Sequence, residues 1–234
     1  MSFNHARPEV TDARKQEVVV IRHGQSTANA SGVWQGQLEF PLSEEGRRQA
    51  AEAGRALKQT TVSSIYASPL SRAFETAQII AREAGFPGEV VPLPGLMERH
   101  GGSLQGKTWA DQETNNPEFV KEFLALPEEE RWAFAGAETD EEILGRFEEA
   151  FSEILSRYPS GEGSIIVVSH GGVMRAFLRD RFGPSVLPDH ERAANASITR
   201  LLHDPADGNT ALQLVELAST RHLPNEETRQ ARAE

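Results

Sequence analysis

Two short runs of β-branched residues, each followed one residue later by histidine and glycine, constrain the fold of this chain more than any other feature. The runs are residues 18–21 and 165–168, and they lead to His23 and His170. Apolar runs bounded by turn-forming residues are typical of strands that are buried on both faces of a sheet. In open α/β sheets, ligands bind beyond the carboxyl ends of the strands. We therefore expect the two imidazoles to share one pocket.

Helix and strand signals alternate between the two runs. After a loop rich in glycine and serine, Ser43 is the predicted N-cap of a helix over residues 44–58. Residues 63–67 are predicted to form a short strand. Ser68 and Pro69 then predict the start of a second helix, with the serine as its cap and the proline as its first residue.

The rest of the chain continues this alternation. Thr139 and Glu142 form a capping-box pattern at the start of an amphipathic helix. The other predicted elements are a helix that ends at Gly85, a short strand at Val90 and Val91, a helix over residues 172–181, and strands over residues 198–202 and 212–217. This order predicts an α/β three-layer sandwich, with a mostly parallel central sheet, helices on both faces and an antiparallel edge strand.

The length of 234 residues fits one domain that spans residues 1–234. Residues 96–137 are polar and interrupted by glycine and proline, and segments of this length inside a domain are usually lids or binding segments. We expect them to be an insertion that caps the pocket, with short helices of its own. The polar ends, residues 1–16 and 219–234, are expected to be flexible tails.

Composition excludes several classes of function. The formal net charge is −11, whereas binding to a phosphate backbone requires clustered lysine and arginine, so we expect no nucleic-acid partner. The chain has no cysteine, which excludes disulfides and thiolate-ligated metals. It has no continuous apolar stretch long enough for a membrane span and no apolar leader segment. We expect a cytoplasmic protein without a membrane partner, and homo-oligomerisation stays open.

Histidine and arginine at neighbouring strand and helix ends suit phosphoryl chemistry. Arg22 precedes His23, and Arg72 lies in the first turn of the predicted second helix. Guanidinium groups bind phosphate oxygens in pairs and keep their charge at any working pH. A neutral imidazole with its lone pair directed at phosphorus is a competent nucleophile. The amides at the start of the helix after Gly171 are expected to add hydrogen-bond donors for the same anion.

Longer motifs extend this pattern along most of the chain. They are RHGQSTAN (residues 22–29), QGQLEFPLSEEGRRQA (35–50), SPLSRAFETA (68–77), LMERHGGSLQG (96–106), GAET (136–139) and VVSHGG (167–172). In order and spacing, from about residue 18 to residue 217, the chain resembles the histidine phosphatase superfamily. The resemblance is to the branch that contains the cofactor-dependent phosphoglycerate mutases and related small phosphatases.

The resemblance implies an activity and a role for each matched residue. It implies a small phosphorylated substrate and a phosphohistidine intermediate, with His23 as the nucleophile. Arg22, Arg72 and His170 match the phosphate clamp, and Asn29 matches a contact at its edge.

The segment after the clamp supplies the other matched positions. Glu98 matches the residue that protonates the leaving oxygen and then activates water. Gln35 and Gly36 match a loop on the substrate side, and His100 and Gly171 are further candidates for contact with the substrate. We expect no metal and no cofactor, because arginines replace a metal as the charges that neutralise the transferring group.

Three activities are compatible with these residues. The segment after Glu98 is close to the mutase version, but mutases have paired arginines and a proline run in the insertion, and an asparagine after the second His-Gly. Here Arg131 is the only arginine of the insertion after the motif LMERHGGSLQG, and position 172 is glycine. We therefore predict hydrolysis of phosphomonoesters, with phosphoglycerate mutase as the alternative and a catalytically silent binding or regulatory module as a less favoured third.

Overall fold

The computed structural model describes residues 15–158, 163–187, 193–204 and 212–224, and for Glu128 only the backbone. These ranges form one six-stranded sheet with helices on both faces, which confirms the predicted fold class. The described strands are β1 Gln16–Arg22, β2 Val62–Ala67, β3 Val90–Pro92, β4 Ser164–Ser169, β5 Ile198–His203 and β6 Leu212–Ser219. The described helices are α1 Thr27–Ala30, α2 Glu44–Ala56, α3 Ser71–Ala84, α4 Trp109–Asn115, α5 Pro117–Ala125, α6 Glu128–Phe134, α7 Asp140–Ser156 and α8 Gly171–Phe182.

The two histidine-terminated strands are neighbours at the centre of the sheet. The strand order is β3-β2-β4-β1-β5-β6, and β1 pairs with β4 in parallel, so that Arg22 lies opposite Ser169. β2 and β3 run parallel to them, whereas β5 is antiparallel to β1. β6 forms the predicted edge strand and is antiparallel to its neighbour β5. Parallel pairing therefore brings His23 and His170 to the same edge of the sheet.

Alternate residues of the central strands face two separate cores. Val18 and Val20 of β1 pack with α7 and α8, whereas Val19 and Ile21 pack with α2 and α3. Every residue of β4 is buried, which explains its unbroken apolar sequence. The central strands therefore cannot shift in register without exposing one of these faces, and the ends that carry the histidines are fixed.

The second helix begins later than the sequence suggests. The prediction that Ser68 caps it is wrong, because α3 begins at Ser71 and has Leu70 at its N-cap position. Ser68 remains tied to the sheet, since its N–H donates to the carbonyl of Val168 over 3.0 Å. The carboxylate of Glu39 accepts the hydrogen bond from the Ser71 N–H instead, over 3.0 Å.

Other predicted elements differ from the structure only at their limits. Ser43 caps α2, Gly85 ends α3 in a left-handed conformation, and the capping box of Thr139 and Glu142 begins α7, all as predicted. The short helix α1, which the sequence analysis treated as loop, is held by a capping box of its own.

The two predicted tails are described only in part. Gln16 belongs to β1 and is fully buried, so the first tail is shorter than predicted. Residues 220–224 form a turn after β6, and residues 1–14 and 225–234 lie outside the described ranges. Within those ranges, no helix has the length and apolar character that crossing a membrane requires.

Candidate active site

A cavity of about 690 Å³ opens at the carboxyl ends of β1 and β4. Its wall brings together eight of the residues singled out from the sequence: Arg22, His23, Asn29, Gln35, Gly36, Arg72, Glu98 and Gly171. Two others, His170 and His100, are not among the residues that line it. The eight residues come from β1, α1, α3, α8 and the loops between them. The fold therefore brings together, at one edge of the sheet, residues that are far apart in the sequence.

His23 is buried and held in one tautomer. Its Nδ1 lies 2.7 Å from the carbonyl oxygen of Gly24, and a carbonyl oxygen can only accept, so Nδ1 carries the proton. Burial, followed by the charges of Arg22 and Arg72, holds the pKa of His23 well below its usual value. The ring is therefore neutral at pH 7, and its Nε2 keeps a free lone pair.

Arg22 and Arg72 supply the positive charge beside that nitrogen. Arg72 is fully buried, and its Nη1 and Nη2 donate to the carbonyl oxygens of Leu38 and Gly36 over 2.9 and 2.7 Å. Burial lowers the pKa of Arg72 from its usual value, against the opposing effect of nearby carboxylates. Among the described residues, no group of three acidic or histidine side chains could hold a metal ion. The positively charged groups that line the cavity together with His23 include the guanidinium groups of Arg22 and Arg72.

His170 lies next to His23, and its ring is fully buried. The two ring centroids are 5.0 Å apart, and the Nε2 of His170 lies 2.8 Å from the hydroxyl of Ser68. Its Nδ1 is buried and has no hydrogen-bond partner among the residues that the structure describes. Burial, with the charge of Arg72 second, holds the pKa of His170 well below its usual value. A buried nitrogen without a partner is costly unless a ligand oxygen supplies one.

Glu98 takes the hydrogen-bond donors that we expected to face a phosphate. Its carboxylate accepts from the N–H groups of Gly172 and Val173 at the start of α8 over 2.9 and 3.0 Å, and from Arg99 over 2.9 Å. Gly172 makes this approach possible, because a Cβ at that position would lie 2.6 Å from Oε1 of Glu98. The expected role of these amides as phosphate donors is therefore wrong for the structure as it stands.

Arg146 fixes the loop that carries Glu98. Its guanidinium donates to the carbonyl oxygens of Gly95, Met97 and Glu98 over 2.7–3.0 Å. It also forms a bidentate ion pair with Glu138, with both distances at 2.9 Å. Arg146 therefore positions the Glu98 carboxyl through the backbone of this loop, and its ion pair with Glu138 holds the guanidinium in place.

Asn29 lines the cavity, and its side-chain oxygen is already hydrogen-bonded. Its Oδ1 accepts from the Ser26 N–H over 3.1 Å and from the Asn195 Nδ2 over 3.2 Å, so this atom is the oxygen. The hydroxyl of Ser26 also lies 2.7 Å from Oε1 of Gln35. These contacts leave the two donors of the Asn29 amide for a ligand.

His100 does not face the cavity. It is exposed, and its ring nitrogens lie 3.3 Å from the Gly102 N–H and 3.2 Å from the side-chain nitrogen of Gln105. The structure therefore assigns it a local contact in its own loop, and the expectation that it contacts the substrate finds no support in the geometry.

Sequence reasoning missed two residues that hold His23 in place. The hydroxyl of Thr76 accepts from the Gly24 N–H over 3.0 Å and donates to the Arg72 carbonyl over 2.7 Å. Asn195 donates from its Nδ2 to the His23 carbonyl over 3.1 Å. Thr76 follows Arg72 by one helical turn on the same face, a spacing that could have indicated it. Asn195 lies far from the motifs in sequence, and no local signal points to it.

Comparison with known proteins agrees with the motifs. The family described as "Histidine phosphatase superfamily (branch 1)" matches residues 18–216. A metal-independent phosphoserine phosphatase of Arabidopsis thaliana is 40% identical over 179 residues, which cover 76% of this chain and 74% of that protein. Phosphoglycerate mutase-like protein 4 of the same plant is 38% identical over 190 residues, which cover 78% of each chain.

Solved structures share the fold. The native structure of a mycobacterial glucosyl-3-phosphoglycerate phosphatase superimposes with a TM-score of 0.75 at 26% identity, and the match covers 88% of this chain and 100% of that one. Because the family match spans most of the sequence and a relative is 40% identical, the prediction made from the motifs is confirmed. This chain belongs to branch 1 of the histidine phosphatase superfamily.

Proposed function

We propose that this histidine phosphatase hydrolyses small phosphomonoesters, with His23 as the residue that receives the phosphoryl group. The observation that carries the proposal is the tautomer of His23, a buried neutral ring whose Nδ1–H is bound by the Gly24 carbonyl. Its free Nε2 belongs to a cavity wall that also contains Arg22 and Arg72. This arrangement supplies a nucleophile and fixed positive charge, the two features that phosphoryl transfer to a histidine requires.

In the first step, the lone pair of His23 Nε2 attacks phosphorus and the bond from phosphorus to the leaving oxygen breaks. The carboxyl group of Glu98 gives a proton to that oxygen, and the product alcohol leaves. Arg22 and Arg72 neutralise the oxygens of the transferring group, and the donors of Asn29 contact its edge. The Nδ1 of His170, in a ring 5.0 Å from that of His23, has no partner among the described residues, and we infer that it donates to a phosphoryl oxygen.

In the second step, water attacks the phosphohistidine. The carboxylate of Glu98 accepts a proton from the water, the bond between phosphorus and Nε2 breaks, and inorganic phosphate leaves. His23 and Glu98 return to their starting protonation states, so the cycle consumes only the ester and water. Neither step uses a metal ion, in keeping with the metal-independent phosphoserine phosphatase among the relatives.

Two observations favour water over a second hydroxyl as the final acceptor. Arg131, which the sequence analysis compared with the paired arginines of mutases, donates to the carbonyls of Leu126 and Leu124 and does not line the cavity. Gly172 has no side chain with which to hold a reorienting intermediate. Phosphoglycerate mutase activity is the second candidate, because a mutase-like relative is 38% identical.

The test is a phosphate-release screen with O-phosphoserine, 3-phosphoglycerate and a panel of sugar phosphates, run with a chelator and without added metal. We expect phosphate release from at least one compound, unchanged by the chelator and abolished in His23→Ala. Formation of 2-phosphoglycerate from 3-phosphoglycerate and catalytic 2,3-bisphosphoglycerate, without phosphate release, would establish the mutase. If His23→Ala matched the wild type, the catalytic proposal would be overturned and the binding-module alternative favoured.

Cytoplasmic location, homo-oligomerisation, the lack of a nucleic-acid partner and the cap role of residues 96–137 stay predictions.

A further inference from the structure

The cavity continues well beyond the residues that handle the phosphoryl group. Besides the residues that handle the phosphoryl group, its wall contains the apolar side chains of Val33, Trp34, Trp132, Leu144 and Ala176, and we call the part that they line the leaving-group chamber. None of these side chains has a part in the two chemical steps. A phosphomonoester bound with phosphorus at His23 must direct its alcohol part into this chamber.

The size of the cavity exceeds what a three-carbon phosphoester needs. Its volume of about 690 Å³ lies in the middle of the range, about 300–1,000 Å³, of sites that bind drug-sized ligands. A substrate as small as phosphoserine would leave most of the chamber filled with water. Apolar and aromatic walls gain little from contact with ordered water, and they gain from contact with a ring of matching size.

Trp132 is held in a fixed position at the chamber wall. The guanidinium of Arg99 lies over its ring, 4.3 Å from the centroid. Arg99 is itself buried, and it donates to the Glu138 carbonyl and to the Asp140 carboxylate. Because Glu138 and Asp140 fix the Arg99 guanidinium and Arg99 covers the indole, a ligand does not have to order the Trp132 side chain when it binds.

Trp34, in the loop after α1, lies against Trp132 of α6. The two ring centroids are 5.9 Å apart, and the planes are inclined by 59°. The backbone of Trp34 is paired on both sides, because its N–H donates to Lys107 over 2.9 Å and its carbonyl accepts from Gly106 over 2.8 Å. Two aromatic side chains, one on a loop and one on α6, are thus fixed separately and form a rigid corner in the chamber.

We propose that the leaving-group chamber receives a ring, so that the preferred substrate is a phosphomonoester whose alcohol part carries an aryl or sugar ring packed against Trp34 and Trp132. The inference rests on the proposed phosphatase activity and adds the class of substrate to it. On the α8 side, Arg175 and Arg179 also line the cavity, and they can meet polar substituents of the ring. The apolar corner selects for the ring, whichever substituents it carries.

The experiment compares benzyl phosphate with ethyl phosphate. Both are esters of primary alcohols with similar leaving-group strength, so the ratio of their kcat/KM values reports the chamber rather than the chemistry. We expect the wild type to favour benzyl phosphate by about tenfold, the scale on which an apolar pocket discriminates between groups of different size. In Trp132→Ala and in Trp34→Ala the ratio should fall about fivefold or more.

Two controls separate the chamber from folding. Phe134→Ala removes another aromatic side chain from α6, one that is exposed and outside the cavity, and it should keep the wild-type ratio. Trp132→Leu keeps apolar volume at this position but removes the ring. The ratio of the two kcat/KM values, measured within one protein, does not depend on the fraction of that protein that is folded. A wild-type ratio near one, or ratios in both tryptophan variants equal to that of the wild type, would overturn the chamber while leaving hydrolysis intact. No phosphate release from either ester would instead count against the proposed function.

Discussion

Replacing Thr76 with valine tests how the fold holds the His23 side chain in its reactive tautomer. The substitution keeps the shape of the side chain but removes the hydroxyl that accepts from the Gly24 N–H and donates to the Arg72 carbonyl. The same residue, Gly24, also provides the carbonyl that binds His23 Nδ1. Releasing the Gly24 N–H should therefore loosen the residue whose carbonyl holds His23, and it should affect both the stability and the activity of the protein.

The expected cost follows from the two hydrogen bonds. The Arg72 carbonyl still accepts its ordinary helical hydrogen bond, so the loss of the hydroxyl donor there costs little. The Gly24 N–H is buried and loses the acceptor that the described structure gives it, and an unsatisfied buried donor costs about 1–3 kcal/mol. We expect the free energy of unfolding to fall by about 2 kcal/mol in Thr76→Val. If the same loss raises the free energy of the catalytic transition state by about 1.4 kcal/mol, kcat/KM falls about tenfold.

Urea unfolding with equal slopes for both proteins gives the first number, and kcat/KM on an aryl phosphate gives the second. Thr76→Ser is the matched control, because it keeps the hydroxyl and removes one methyl group at a cost of about 1 kcal/mol. It should retain activity within about twofold. The reasoning is refuted if Thr76→Val unfolds within about 0.5 kcal/mol of the wild type, or if the serine variant loses as much activity as the valine variant.

Three further predictions follow from single contacts at the site. A Cβ at Gly171 would lie 3.1 Å from Nε of Arg22, so Gly171→Ala should displace the guanidinium and lower kcat/KM about tenfold. The control is Gly145→Ala, which should retain activity in the same assay because a Cβ at Gly145 has open space around it. The folded state holds the pKa of His23 below its usual 6.5, so the unfolded chain binds the proton first as pH falls. The His23 ring in the folded protein should therefore show no NMR titration between about pH 6 and pH 7. The contribution of His23 to the free energy of unfolding should be lost as pH falls below about 6.5. Arg146→Met removes the donor to three carbonyls of the catalytic loop and should lower kcat about tenfold or more with a smaller change in KM; an effect confined to KM would contradict this.

The sequence predicts the sheet and the meeting of the histidines because both depend on a simple pattern. Unbroken β-branched runs occur where a strand is covered on both faces, and parallel strands end at one edge. The two residues opposite each other there, Arg22 and Ser169, are fixed by that pairing alone. Caps with a local signature, such as those of Ser43 and Thr139, are equally readable because the capping group lies within one turn of its partner.

What the sequence could not predict depends on contacts between distant segments. Ser68 has the local signature of an N-cap, but it does not cap α3. Its backbone is instead hydrogen-bonded to β4, and its hydroxyl contacts His170. The amides at the start of α8 are a generic anion site, and only the fold shows that the Glu98 carboxylate occupies them. Contacts between distant segments also decide where the aromatic residues of the insertion lie. Phe123 is buried in a small core, whereas Trp132 packs against that core and also lines the cavity.

The most direct test of the account is to trap the phosphorylated enzyme. The wild type is mixed with a slowly hydrolysed phosphomonoester, quenched within the first turnover, digested at alkaline pH and analysed by mass spectrometry. We predict one phosphoryl group on the peptide that contains His23, stable to alkali and labile to acid, and absent from His23→Ala. A phosphoryl group on Ser68, Glu98 or His170 instead, or rapid turnover through the first cycle with no covalent phosphoryl group on the protein, would contradict the central claim.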